Sequence, residues 1–273
     1  MSSRYLPNQV KPEKRLVLPC GDEPQRARKT MTDEERQRRI ELAAAYRLAA
    51  RFGFSDIVWN HITAKIPGGH GFLINRFGLR FDEVTASNLV TIDLDGHVLN
   101  PGTADSTDAI NTTGFVIHRG IHAAHADVAC VMHSHTPAGM AVSTLKDGLT
   151  TLVLDAMVFH NRVAYHPFEG ASVDRAESER LVASLGSHRA MILKHHGLLT
   201  CGATVGEAFI KMFYLDRACA VQIAAMSTGQ TLAVPPASLR EKTAQDYAHF
   251  PHGKYEWPAL LRLLDEQEPD YKS

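Results

Sequence analysis

The sequence predicts an α/β domain with an antiparallel middle region, and three observations carry that expectation. Two runs, Val128 to Met132 and Ala190 to Lys194, apolar but for the lysine that closes the second, each climb into histidines, as buried strands reaching a sheet edge would. Two other stretches, Ile40 to Ala49 and Val205 to Met226, repeat apolar residues at three-to-four spacing and predict helices. Between residues 56 and 99, short strand-like runs follow one another through tight turns. They lack the strand–helix alternation of a doubly wound fold.

Taken in order, residues 1–30 combine Pro7, Pro12, Pro19 and Pro24 with scattered charges and predict a flexible or extended arm. Thr32 followed by Asp33-Glu34-Glu35 marks a helix start, a capping hydroxyl ahead of acids that suit the helix dipole. Gly53 ends that helix. Ile57 to Ile66, the Pro67-Gly68-Gly69 turn, Phe72 to Asn75 and the turn at Phe77-Gly78 read as β-structure, with a short helix next at Thr85 to Leu89. Asp95-Gly96, flanked by Leu89 to Leu94 and His97 to Leu99, is a hairpin signal. Thr113 to Ala124 has helical spacing, with His118, His122 and His125 expected as partly exposed helix residues. Ala138 to Ser143 starts a helix, and Thr151 to Leu154 and Arg162 to Tyr165 predict short strands. An amphipathic helix from Asp174 to Leu185 precedes the strand at Ala190, which ends in His195-His196-Gly197 before the long helix. Pro235, Pro236, Pro251 and Pro258 punctuate a tail that ends in a short helix, Pro258 to Leu264. Three parts result: an arm over 1–30, a domain over 31–232 and a tail over 233–273.

Composition narrows the function classes. A chain of 273 residues with 44% hydrophobic and 22% charged residues can bury a sizeable core. Its net charge of −1 offers no basic field to recruit nucleic acid or an anionic membrane surface. No apolar run approaches a membrane span, and the polar N-terminus lacks the apolar stretch of a secretory signal. Cys20, Cys130, Cys201 and Cys219 lie far apart and read as reduced thiols of a cytoplasmic protein.

The chemistry starts at Met132-His133-Ser134-His135. In a strand alternate side chains share a face, so His133 and His135 point the same way, about 7 Å apart along the backbone. Two imidazoles converging at a strand end suit a divalent metal that prefers nitrogen. His195 and His196, at the end of the second strand, can supply a third imidazole; adjacent strand residues face opposite ways, so one of the two would serve.

Several blocks in order resemble the class II aldolase and adducin head-domain family. They are Phe72-Leu73-Ile74-Asn75-Arg76-Phe77-Gly78-Leu79, Glu83 to Leu89, Gly114 to His118, Val131 to Gly139, Val163 to His166, and Leu193 to Leu198. The resemblance spans roughly residues 33–230 and implies a three-layer α/β/α domain around a central, largely antiparallel sheet. It implies His133, His135 and His196 as ligands of a divalent metal, zinc first, with manganese or iron as alternatives. It also implies a homotetramer and a small-molecule substrate. His61, Tyr165 and His166 are candidate catalytic groups, and Asn75, Arg76, Gly78 and Ser134 candidate substrate contacts.

A divalent cation there would stabilise the negative charge left on oxygen when a neighbouring C–C bond breaks, in aldol cleavage or decarboxylation. Sugar-phosphate aldolases of the family carry an acid–base glutamate four residues before the position of His118; this chain has Gly114 there. A glycine cannot move a proton, so the expectation is a metal-dependent lyase acting on a small oxo or aromatic acid. An adducin-like binding module without catalysis and an iron-dependent oxygenase are the alternatives.

Overall fold

The computed structural model describes residues 31–69, 71–100, 110–170 and 175–273. The expected arm over 1–30, Cys20 and the first residue of the expected helix at Asp174 lie outside these.

Helix α1 (Asp33–Arg51) starts where the caps require: Thr32 Oγ1 accepts the Glu35 N–H at 3.1 Å, and Gly53 closes the helix with φ 76°. Strands β1 (His61–Lys65) and β2 (Gly71–Ile74) pair through the Pro67-Gly68-Gly69 turn, and β3 (Val90–Asp93) and β4 (Val98–Asn100) form the Asp95-Gly96 hairpin. Then come α2 (Thr112–Ala124), β5 (Cys130–Ser134), α3 (Pro137–Thr144), α4 (Leu154–Met157), β6 (Ala164–His166), α5 (Arg175–Leu185), β7 (Ala190–Leu193), β8 (Gly197–Gly202) and α6 (Val205–Ser227). Helices α7 (Ala237–Tyr247) and α8 (Glu256–Gln267) follow.

The eight strands form one sheet in the order β4-β3-β2-β1-β5-β8-β7-β6, antiparallel except for the β6–β7 pair. Alternation sends Ile62, Ala64, Cys130, Met132, Ile192 and Leu198 to one face, where they pack with α1, α6 and α8 through Leu42, Phe209 and Leu264. Val131, Met191, Leu193 and Leu199 face the other way, onto Ile117 and Ile121 of α2 and Leu181 and Leu185 of α5. This is the expected three-layer α/β/α arrangement. No described helix is long and apolar enough to cross a membrane.

Four local expectations are corrected. Thr85 to Leu89 is not a helix; Phe81–Glu83 forms a single 3₁₀ turn and residues 86–88 a further turn. Thr151 to Leu154 is not a strand, because the Thr150 N–H is taken by Gln222 Oε1 and the adjacent chain enters α4. The run after His196 is itself a buried strand, β8, so a hairpin separates Ala190 from the long helix. The tail also carries α7 in addition to a helix around Pro258, and Trp257, Leu264 and Tyr271 are buried in the main core.

Candidate metal centre

The pairing register gathers the candidate residues along one edge of the sheet. β1 sets His61 opposite His133, β5 sets Ser134 opposite Leu198, and β6 sets His166 opposite Leu193, so the ends of five strands meet there. Asn75 and Arg76 follow Ile74, whose partner is Thr63, at the same edge.

His195 and His196 lie on the tight turn between β7 and β8, not on a strand. His195 takes φ 56°, so the turn leaves its side chain exposed while His196 faces β5. The rings of His133 and His196 are 4.8 Å apart and those of His135 and His196 4.9 Å. One ligand atom from each of His133, His135 and His196 lies within 4.8 Å of the others. Zinc holds imidazole nitrogens at about 2.0–2.1 Å, which in a tetrahedron puts them roughly 3.3 Å apart.

The hydrogen bonds test whether a cation fits. His133 Nδ1 lies 2.9 Å from the Leu198 carbonyl, and His135 Nδ1 lies 2.9 Å from Asp56 Oδ2. Both partners accept, so both Nδ1 atoms carry the proton and both Nε2 atoms are bare in the neutral rings. Those two Nε2 atoms face each other at 2.8 Å. Two lone pairs at that distance repel unless a positive charge lies against them. Burial, and then the neighbouring His196 and His135, push His133 well below the usual imidazole range. Burial and then His135 lower His196 to about 4. Neutral, preoriented imidazoles are the form that binds metal, so the residues fit a divalent cation.

Gly197 makes this approach possible. A Cβ there would sit inside van der Waals contact of the Ser134 carbonyl oxygen and 3.2 Å from His135 Cδ2. Gly197→Ala is expected to lower the unfolding free energy by about 1–3 kcal/mol, because backbone and not a flexible side chain must yield. Urea titration checks it.

Asp56 is the site residue that the sequence did not disclose. It sits in the loop before β1, and its contact with His135 spans 79 positions. The next residue, Ile57, is held at φ 49°, a strained conformation for a β-branched side chain. Second-layer acceptors of this kind orient metal-ligating imidazoles. Asp56→Ala should weaken metal binding about 10–100-fold while sparing the fold, as read by competition against a chelator.

The other sequence candidates are placed unequally. His61 is buried, its ring 5.1 Å from that of His133. His118 and His122 are buried under the sheet, not partly exposed, because α2 lays them against β1. His166 is buried with Nδ1 at 3.0 Å from Ser184 Oγ, and shares with His196 a cavity of about 10 Å³, room for one water molecule. The Tyr165 hydroxyl accepts the Leu149 N–H at 3.0 Å and packs on Gly148, which ties it to that turn. Asn75 Oδ1 lies 2.8 Å from the Tyr46 hydroxyl, a buried link between β2 and α1. Arg76 is half-buried with its Nε unpartnered, and it forms no ion pair among the described residues. Gly78 turns the chain with φ 93°. Ser134 points away from the two histidines it separates and donates to Met212 Sδ at 3.2 Å.

Residues 40–223 match the family model described as the class II aldolase and adducin N-terminal domain. A provisionally named class 2 aldolase protein of Pseudomonas aeruginosa is 43% identical over 87% of this chain and 93% of its own length. A solved structure described as L-fuculose 1-phosphate aldolase, from Glaciozyma antarctica, superposes with a TM-score of 0.79 at 29% identity, covering 92% of this chain and 97% of that one. Rat alpha-adducin is 36% identical over 85% of this chain, which spans 33% of that protein.

Proposed function

Because the chain belongs to the class II aldolase and adducin N-terminal domain family, we propose that it is a metal-dependent carbon–carbon lyase acting on a small oxo or aromatic acid. The observation that carries this reading is the pair of Nε2 atoms of His133 and His135, 2.8 Å apart with each Nδ1 held by an acceptor, beside His196. Zinc is the first assignment for three imidazole ligands, with manganese or iron as alternatives. When bound, the cation supplies the positive charge that a carbonyl oxygen needs as the neighbouring C–C bond breaks.

The chain's own residues do the rest. Three protein ligands leave room for substrate at a catalytic metal. Asp56 fixes the His135 ring, and the Leu198 carbonyl fixes that of His133. The Arg76 guanidinium, whose Nε has no partner among the described residues, is suited to a substrate carboxylate, which its planar fork can grip with two hydrogen bonds. Gly114 can move no proton, and decarboxylation needs no carboxylate base to begin; this favours an oxo-acid lyase over the sugar-phosphate reaction named for the Glaciozyma neighbour. The assembly we assign is a cytoplasmic homotetramer.

Purified protein should carry close to one zinc or manganese per chain and release carbon dioxide or an aldehyde from a panel of oxo and aromatic acids. Metal-free protein that stays empty after supplementation would overturn the reading. The likeness to alpha-adducin favours a second reading, a binding module. It predicts partner capture that His133→Ala leaves intact, with no metal-dependent turnover.

A further inference from the structure

Behind the three ligands lies a second row of polar groups that the reading above leaves without a task. His61 Nδ1 is 3.0 Å from His118 Nε2, His118 Nδ1 is 2.7 Å from Thr63 Oγ1, and Thr63 Oγ1 is 2.7 Å from His122 Nε2. All four residues are buried in the layer between β1 and α2. Three imidazoles and one hydroxyl in series under an apolar sheet are costly to bury without a purpose, although here each internal contact is satisfied.

A chain of this kind has one direction, because each link has one proton and each end fixes the next. The far nitrogen, His122 Nδ1, is buried. The Val128 carbonyl is a backbone acceptor beside this ring, and Nδ1 closes no hydrogen bond among the described residues. A carbonyl accepts and never donates, so the form this neighbour favours carries its proton on His122 Nδ1 and leaves Nε2 to accept from Thr63. Thr63 then donates to His122 Nε2 and accepts from His118 Nδ1. His118 Nε2 in turn accepts from His61 Nδ1. The end of the series is His61 Nε2, left without a proton and without a partner among the described residues.

The place of that nitrogen is set by Gly114. A Cβ at 114 would lie 2.5 Å from His61 Cδ2, 2.7 Å from Cγ and 2.9 Å from Nε2. The imidazole therefore fills the room that any side chain at 114 would need. Glycine and histidine are a matched pair: the chain lacks a side chain on α2 and supplies an imidazole from β1 in its stead.

We infer that His118, Thr63 and His122 are positioning residues that hold His61 as its Nδ1–H tautomer, with a bare Nε2 presented beside the metal ligands in the space left by Gly114. This rests on the lyase reading for its chemical use, since an unprotonated nitrogen there accepts a hydrogen bond from a substrate hydroxyl or water and so orients it. The tautomer assignment stands independently of it. The series needs no ring to become charged. Burial holds His61 and His122 at about 3 and His118 well below the ordinary range, with Lys65 adding its repulsion at His122.

Nitrogen-15 spectra of histidine-labelled, zinc-loaded protein test the assignment directly. The expected result is three Nδ1–H tautomers, at His61, His118 and His122, each assigned by its single-residue variant. Finding any one of them as the Nε2–H form in wild type overturns the series. Thr63→Val, which removes the hydroxyl at little change of shape, should shift His61 toward Nε2–H and lower kcat at least ~10-fold. Metal content and KM should be unchanged, and Thr63→Ser should restore both tautomer and kcat. An unchanged His61 tautomer in Thr63→Val would overturn the inference. Gly114→Ala should displace the ring and lower kcat while metal stays bound; full kcat there would count equally against it. If wild type turns over none of the acids but keeps the tautomer pattern, the lyase reading fails and the positioning stands.

Discussion

Replacing His196 with alanine is expected to strip the centre of its metal. His133 and His135 keep their orienting partners, Leu198 and Asp56, but two imidazoles cannot hold a divalent ion as three do. Loss of a mere orienting group costs about 10–100-fold in affinity, so loss of a ligand should exceed ~100-fold. Metal analysis after dialysis reads the loss directly. A second readout is thermal: ion at about 100 times its dissociation constant stabilises the folded protein by about 2.7 kcal/mol, a gain that His196→Ala should forfeit. The neighbouring His195→Ala is the control, because its ring is exposed and turned away. Equal metal content in His196→Ala and wild type would remove the assignment of the third ligand.

The metal-free protein should lose stability steeply between pH 7 and pH 5. His61 and His122 are held at about 3 and His118 well below its ordinary value, in each case first by burial. In the unfolded chain each returns to about 6.5. Over this interval the unfolded state binds protons that the folded state refuses, so stability falls as pH falls. The contribution is fully present above about 6.5 and is lost progressively toward the folded values. These three groups alone contribute a loss on the order of 5 kcal/mol between pH 7 and pH 5, and without metal His133 and His196 act in the same direction. Urea titrations at a series of pH values check this, and His118→Gln should reduce the slope by close to one proton. A flat profile to pH 5 would mean that these rings are charged in the folded protein.

Much of this molecule is legible locally. Thr32 with its acids, Gly53, and the Asp95-Gly96 turn name element ends because caps and turns are made by neighbours in sequence. β5 is readable because a run of apolar residues has few other ways to be buried, and the two-residue period puts His133 and His135 on one face. Errors fall where a local pattern had two solutions. Gly197 to Gly202 is short and apolar, and only its partners β5 and β7 make it a strand. His118 and His122 have helical spacing whether α2 turns them outward or inward; the hydroxyl of Thr63 explains the inward choice.

The sequence by itself therefore determined the α/β class, the family, the paired histidines of β5 and the absence of a side chain at 114. The residues alone left His195 and His196 equal, and the family resemblance pointed to His196. The tertiary structure supplies the physical reason, a left-handed turn at 195 that leaves His195 exposed and sets the His196 ring against His133. It also brought Asp56 to His135 and set His61 in the space beside Gly114. The physical reason is separation along the chain. Contacts between residues 57 or 79 positions apart leave no periodicity to read, because sheet register and layer packing, not local conformation, decide which side chains meet.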